Sequence, residues 1–164
     1  MAVKLLNEIF TGDLQKAVTA VHEIAYRRKK QEWSVGETTL TALQVSERNA
    51  VVCNVGDSSA FLFQGANITQ LYNADRNIDG SLTQVIGWPE NISIHTTRFE
   101  LRPGEVVILG TDGVEDALRP PEIYHSLMKV NAKEIADAII NSANRRKTAY
   151  DDDKTVIVIR ALKA

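Results

Sequence analysis

Apolar residues in the first 30 positions recur at intervals of three and four, which is the period of an amphipathic helix. Residues 2–10 and 13–30 both fit this period, and Gly12-Asp13 separates them. Glycine often follows the end of a helix, and aspartate is a good N-terminal cap. The pattern therefore predicts two consecutive helices.

From residue 36 onward the apolar period shortens to two, which is typical of strands with one buried face. Short polar turns separate four such segments. Because neighbouring segments are joined by only a few residues, we predict that they form an antiparallel meander. The four predicted strands cover residues 39–45, 50–55, 60–63 and 68–72.

The rest of the chain mixes strand-like and helix-like segments. Helices come first, strands occupy the middle and further helices lie near the end. This order predicts an α+β fold with antiparallel sheet rather than alternating βαβ units. The predicted strands are 92–101, 106–109 and 155–159; the predicted helices are one after Asp112, 121–128 and 132–144, with a short helix or turn over 81–86.

Composition narrows the class of protein. Of the 164 residues, 44% are hydrophobic and 24% are charged, with 19 Lys and Arg against 21 Asp and Glu. Such a chain is globular rather than disordered. Its net charge of −2 argues against a dedicated nucleic-acid-binding domain, which carries an excess of basic residues. We therefore expect one domain over residues 1–164 that does not bind nucleic acid.

Cys53 is the only cysteine, so the chain holds no internal disulfide. It lies in the apolar run 50–53, where we expect it to act as a small buried hydrophobe. The lack of a disulfide framework favours the reducing cytoplasm. No apolar stretch approaches the ~18 residues of a transmembrane helix, so we expect no membrane partner.

Three aspartates stand at the ends of predicted strands. Asp112 follows a buried strand, where a carboxylate needs a cation or hydrogen bonds; it either binds a cation or caps the next helix with Glu115 in a capping box. Asp152 lies between two other aspartates, and either a hard cation or solvation in an exposed turn relieves their repulsion. Asp57 follows Gly56, where Gly-Asp is also ordinary turn chemistry.

These three weak signals become strong when they are read in order within a series of five segments. The segments are Gly36–Leu43, Asn54–Ala60, Leu82–Gly87, Leu101–Gly113 and Asp152–Val156. Taken in this order, they resemble the motifs of the metal-dependent Ser/Thr protein phosphatases, the type 2C or PPM family. The two leading helices also fit this family.

The resemblance implies two packed antiparallel β-sheets flanked by helices, an α-β-β-α sandwich. It implies Mn²⁺ or Mg²⁺ as cofactor, and water activated by the metal that hydrolyses phosphoserine or phosphothreonine in a protein substrate. On the matching positions, Asp112 and Asp152 are metal aspartates. Asp57 matches the Gly-Asp-Ser aspartate, which supports a third metal in bacterial members.

The chain also departs from the family's pattern. The family's first motif is an Asp-Gly before the first helix, which supplies the carboxylate that bridges two metals. Here the chain begins at that helix, so we expect an N-terminally truncated domain without this carboxylate or the early arginine that grips phosphate. Ser59 stands where arginine is usual, and Glu37 replaces a small residue. We therefore expect weak hydrolysis by this chain.

Two other functions stay open on the sequence. The first is a catalytically impaired pseudophosphatase that binds a phosphoprotein or another partner without turnover. The second is a structural α+β domain whose aspartates have no shared role. A metal site that joins Asp112 and Asp152 would separate the phosphatase from the structural domain.

Overall fold

The computed structural model describes residues 1–32, 34–119, 122–145 and 152–162. The chain forms two compact units whose segments alternate in sequence: Met1–Ser58 with Tyr72–Glu100, and Ser59–Leu71 with Leu101–Ala164. In chain order the elements are α1 (Ala2–Ile9), α2 (Leu14–Gln31), β1 (Leu40–Ser46), β2 (Asn49–Val55), β3 (Ser59–Gln64), β4 (Asn67–Gln70), β5 (His95–Glu100), β6 (Val106–Gly110), a 3₁₀ helix (Asp112–Leu118), α3 (Glu122–Leu127), α4 (Ala132–Arg145) and β7 (Val156–Arg160).

The first unit consists of α1, α2 and a three-stranded antiparallel sheet in the order β1-β2-β5. Asp13 caps α2 by accepting the backbone N–H of Lys16 at 3.1 Å, so this helix begins where the sequence predicts. The apolar stripe of α2 is buried and belongs to the same core as β2 and Ile86. Its buried apolar members are Leu14, Ala17, Val18, Val21 and Ala25.

The second unit holds a four-stranded antiparallel sheet in the order β4-β3-β6-β7. All five residues of β6 are buried, which accounts for its continuous apolar sequence. Ile135 and Ile139 of α4 belong to the same core as Ile108 of β6. The chain therefore leaves a buried strand just before it reaches Asp112.

The predicted fold class is confirmed: the chain is α+β, with two antiparallel sheets flanked by helices. The prediction of one four-stranded meander is wrong. β1 and β2 form one hairpin and β3 and β4 another, but the two hairpins belong to different sheets. The chain turns between them at Gly56, whose φ of 108° suits glycine, and the Gly56 N–H bonds to Asp75.

Residues 81–86 form no helix, so the turn alternative holds for this segment. The backbone of Ile86 exchanges two hydrogen bonds with Thr38, at 2.8 and 3.3 Å. The segment is rich in β-branched residues, which suit extended backbone. The next strand is also shorter than the predicted 92–101, because β5 begins at His95.

Cys53 is buried and has a free thiol, as the sequence predicts. Burial raises the pKa of this thiol above its usual range. Among the residues that the structure describes, no helix is long and apolar enough to cross a membrane.

Candidate functional site

Asp112 lies at the surface, immediately after the buried strand β6 and Thr111. It is the first residue of the 3₁₀ helix, whose N-cap is Thr111, and its Oδ1 accepts the N–H of Gly113 at 2.9 Å. Glu115 pairs with Arg119 one turn further on, with 2.9 Å between Oε1 and Nη2. Asp112 is therefore not the N-cap of this helix, and its carboxylate reaches solvent at the end of the central strand.

Thr111 joins the end of β6 to the segment that leads into β7. Its N–H donates to the carbonyl of Thr155 at 3.1 Å, and its Oγ1 accepts the N–H of Thr155 at 3.0 Å. The same hydroxyl lies 3.2 Å from the carbonyl oxygen of Asp153, to which it donates. Three hydrogen bonds therefore hold the segment Asp152–Val156 beside the end of the segment Leu101–Gly113.

The backbone of Gly113 also lies close to that of Asp152 and Asp153. A Cβ atom at this position would lie 2.6 Å from the carbonyl oxygen of Asp153 and 3.3 Å from that of Asp152. The backbone of Gly113 has no positive φ, so the position needs glycine for the close approach rather than for its conformation. The backbones of Asp112-Gly113 and Asp152-Asp153 thus meet at one edge of the sheet, and Asp112 and Asp152 are both exposed there.

The oxygen atoms at this edge are of the chemical type that hard cations prefer. Mn²⁺ and Mg²⁺ prefer carboxylate, carbonyl and water oxygens, and the edge offers the carboxylates of Asp112 and Asp152. In the described ranges, however, no three His, Cys, Asp or Glu side chains converge in a way that could hold a metal. Asp151, a further candidate from the sequence, lies outside the described residues. That Asp112 and Asp152 share one cation stays a prediction, which the backbone contact supports.

Asp57, the third predicted metal ligand, lies in the first unit at the end of β2. Its Oδ2 is 2.5 Å from Nη2 of Arg76, and the Asp57 side chain is only 13% exposed. Gly56, just before it, packs so closely on Thr39 that a Cβ atom would meet the Thr39 side chain at 2.4 Å. The turn is therefore tightly packed, and its carboxylate already has a cationic partner.

A buried carboxylate that the sequence did not indicate, Asp75, holds this turn in place. Its Oδ2 accepts the N–H of Gly56 at 2.8 Å, and its own N–H donates to the carbonyl of Gly56 at 3.0 Å. Its Oδ1 accepts Nε2 of Gln84 at 2.7 Å and lies 2.7 Å from Nε2 of His95. Asp75 is only 7% exposed, and these partners compensate the burial of its charge.

Tyr72 extends the same network. Its hydroxyl donates to the carbonyl of Ser58 at 2.9 Å, and its ring stacks on that of His95 with centroids 6.1 Å apart. Burial raises the pKa of Tyr72 well above its usual value near 10. The phenol therefore stays protonated and continues to donate to Ser58 over the whole neutral range.

Nothing in the periodicity of the sequence separates Asp75 and Arg76 from the other polar residues of the loop 73–80. Their partners are far away in sequence: Gly56 and Asp57 lie 19 residues earlier, and His95 lies 20 residues later. The pairing depends on the way the loop returns to the end of β2. Only the three-dimensional structure shows that return.

The chain is similar to known proteins. The sequence profile of the family described as Stage II sporulation protein E (SpoIIE) matches residues 1–162. The chain belongs to the SpoIIE family. The match spans both units and therefore includes every residue of the candidate site. Among curated proteins, none matches this chain by sequence.

Solved structures share the fold of this SpoIIE-family chain. PppA, described as a key regulatory component of T6SS in Pseudomonas aeruginosa, is 18% identical, with a TM-score of 0.85 over 98% of this chain and 77% of its own. The serine/threonine phosphatase Stp1 from Staphylococcus aureus is 17% identical, with a TM-score of 0.83 over 99% of this chain and 76% of its own.

A third structure adds metal to the comparison. It is the catalytic domain of the serine/threonine protein phosphatase PstP in complex with two manganese ions, at 22% identity and a TM-score of 0.77 over 96% of this chain and 75% of its own. The fold of the chain is therefore that of the type 2C phosphatases, as the resemblance of its motifs predicts.

Proposed function

We propose that residues 1–164 are one metal-dependent protein phosphatase domain that hydrolyses phosphoserine and phosphothreonine in cytoplasmic proteins. The observation that carries this proposal is the close approach of Gly113 to the carbonyl oxygens of Asp152 and Asp153, next to the exposed residues Asp112 and Asp152. The chain's single cysteine, a buried free thiol, is consistent with a reducing compartment. The manganese of the PstP domain supports the choice of metal.

Asp112 and Asp152 would hold Mn²⁺ or Mg²⁺, with water as the remaining ligands. When bound, the cation supplies hydroxide at neutral pH and compensates the charge on the phosphate oxygens. The three hydrogen bonds of Thr111 to Asp153 and Thr155 hold the residues before β7 next to Asp112. Because both aspartates are exposed, a phosphorylated side chain of another protein has access to the edge.

The test is the release of phosphate from a phosphoserine peptide in the presence of Mn²⁺, with Asp112→Asn compared with Asp137→Asn. Asp137 is an exposed aspartate of α4 that pairs with Lys133, so its substitution controls for the loss of one surface charge. We expect Asp112→Asn to lower the rate by about 10²-fold or more, since one preorganised electrostatic group is removed. Equal rates for the two variants would refute the proposed site.

A second function, binding a phosphoprotein without turnover, has one observation in its favour. The described residues include no cluster of three metal-ligating side chains, whereas the PstP domain binds two manganese ions. Fluorescence anisotropy with a labelled phosphoserine peptide separates the two functions. Saturable binding without any phosphate release, in Mn²⁺ and in Mg²⁺, would favour the binding protein.

A further inference from the structure

The ion pair of Asp57 with Arg76 lies at a position where the resemblance to the phosphatase family implies a metal. Nη2 of Arg76 lies 2.5 Å from Oδ2 of Asp57, and the two side chains are 30% and 13% exposed. Guanidinium groups keep their positive charge in proteins, so this carboxylate is not released by deprotonation of its partner. The charge of Asp57 is therefore compensated within the chain.

The pair is built into the backbone of the loop. Asp75 and Gly56 exchange two hydrogen bonds, one between the backbone N–H of Asp75 and the Gly56 carbonyl and one between the Gly56 N–H and the Asp75 carboxylate. Because Arg76 follows Asp75 and Asp57 follows Gly56, this exchange sets the two charged residues side by side. A backbone bridge between Arg76 and Leu82 anchors the loop from the other side.

The surroundings do not suit a divalent cation at Asp57. A cation there would have to displace the guanidinium or lie beside it, and two neighbouring positive charges repel each other strongly where water is largely excluded. Asp75, the buried carboxylate that bonds to the neighbouring Gly56, is a poor replacement ligand, because it is only 7% exposed and both of its oxygens already accept hydrogen bonds, from Gly56, Gln84 and His95. The donor set of this turn thus disagrees with a metal site.

We propose that Arg76 takes the place of a metal cation at Asp57, so that Asp57 is a structural partner of Arg76 and not a metal ligand in this chain. This inference rests on the proposed function only in that Asp112 and Asp152 are the residues left to bind metal. It predicts that metal binding depends on the second unit and is insensitive to the charge of Asp57.

The experiment measures Mn²⁺ binding to the full chain by isothermal titration calorimetry, with free Mn²⁺ checked by electron paramagnetic resonance. We expect Asp57→Asn to bind the same number of Mn²⁺ ions as the unchanged chain, with a dissociation constant within about twofold, because no ligand is lost. Loss of one equivalent of Mn²⁺ in Asp57→Asn would overturn the proposal.

Arg76→Gln tests the exclusion itself. Without the guanidinium group, we expect one additional Mn²⁺ ion to bind at Asp57. The affinity of this position for Mn²⁺ should be about tenfold or more higher than in the unchanged chain. The double variant Asp57→Asn with Arg76→Gln should lose this gain, and Arg76→Lys should show none because the positive charge is kept. No gain in folded Arg76→Gln would refute the exclusion; should this variant fail to fold, the stoichiometry of Asp57→Asn decides the matter.

Asp112→Asn separates this inference from the proposed function. If Asp112→Asn leaves Mn²⁺ binding unchanged, the proposed metal site at the second unit fails whatever happens at Asp57. If Asp112→Asn abolishes binding and Asp57→Asn also removes one equivalent, the proposed function stands and the role given to Arg76 fails.

Discussion

Gly113 and Asp153 lie so close that a Cβ atom on Gly113 would come within 2.6 Å of the Asp153 carbonyl oxygen. The contact is between backbones that are more than thirty residues apart in sequence, so no side-chain rotation can relieve it. It places the two halves of the proposed metal site against each other. The proposed site therefore requires glycine at position 113, because a Cβ atom does not fit there.

Gly113→Ala should consequently separate Asp112 from Asp152. Because the obstructing atom belongs to the backbone, we expect a loss of about 1–3 kcal/mol in the free energy of unfolding and a weaker response to Mn²⁺. Urea denaturation and Mn²⁺ titration measure the two effects. Gly36→Ala is the matched control, since a Cβ atom there would meet nothing within 4 Å. Equal stability and Mn²⁺ affinity of both variants would contradict the close approach.

Asp75→Asn should destabilise the first unit, although Asp75 is not one of the proposed metal ligands. The substitution removes a buried charge that faces His95 and replaces one of its acceptor oxygens by an N–H₂ donor, while Gly56 and Gln84 both donate to it. We expect the free energy of unfolding to fall by about 3 kcal/mol, as for other broken buried pairs. Asp79→Asn, at an exposed position in the same loop, should change it by less than about 0.5 kcal/mol. A denaturant midpoint for Asp75→Asn close to that of Asp79→Asn would contradict this role.

Tyr72 should make the stability depend on pH in the alkaline range. Its pKa is raised in the folded state, so the stabilisation is fully present below the unfolded pKa near 10 and is lost as the pH rises above it. Urea denaturation between pH 8 and about 11 should therefore show a decline that is shallower in Tyr72→Phe. Tyr124→Phe is the control, because this tyrosine is more exposed. A decline of the same slope in Tyr72→Phe would exclude Tyr72 as its source.

Phosphatase activity of the 164-residue chain should be weak. The two carboxylates that we propose as metal ligands, those of Asp112 and Asp152, would hold one cation, whereas the PstP catalytic domain is in complex with two manganese ions. Assayed side by side on an aryl phosphate in millimolar Mn²⁺, the chain should be slower by about 10²–10³-fold or more. Equal, metal-dependent turnover would mean that another residue completes the site, with Asp153 and Asp151 as the nearest candidates in sequence.

The sequence predicts most elements well because their periodicity is a local property. The stripe of α2 and the continuous apolar run of β6 both lead to the correct element, within one or two residues. The division of the four middle strands between two sheets was not predictable in this way. Short loops indicate which strands are neighbours in sequence, but the partner of β3 on its other side is β6, which begins some forty residues later.

The candidate site also has one part that the sequence predicts and one part that it does not. Asp112 and Asp152 are predicted from their positions beside strands and from the resemblance to the phosphatase motifs, and the structure shows Gly113, the neighbour of Asp112, against the backbone of Asp152 and Asp153. The ion pair of Asp57 with Arg76 was not predictable, because a Gly-Asp turn in sequence is compatible with an exposed carboxylate. Its low exposure results from a loop that returns over the turn, and loop paths leave no periodic signal.

The alternation of the two units along the chain has a consequence for synthesis on the ribosome. The β3–β4 hairpin leaves the ribosome early, but an isolated two-stranded hairpin is marginally stable in water, and its partner strand β6 begins only at Val106. The first unit, by contrast, has all its strands once Glu100 is made. The second unit has to join two pairs of strands that are distant in sequence, β3 with β6 and β6 with β7, whereas the described strands of the first unit include one such pair, β2 with β5. Its contact order is therefore higher, and we expect it to be the slower of the two units to fold.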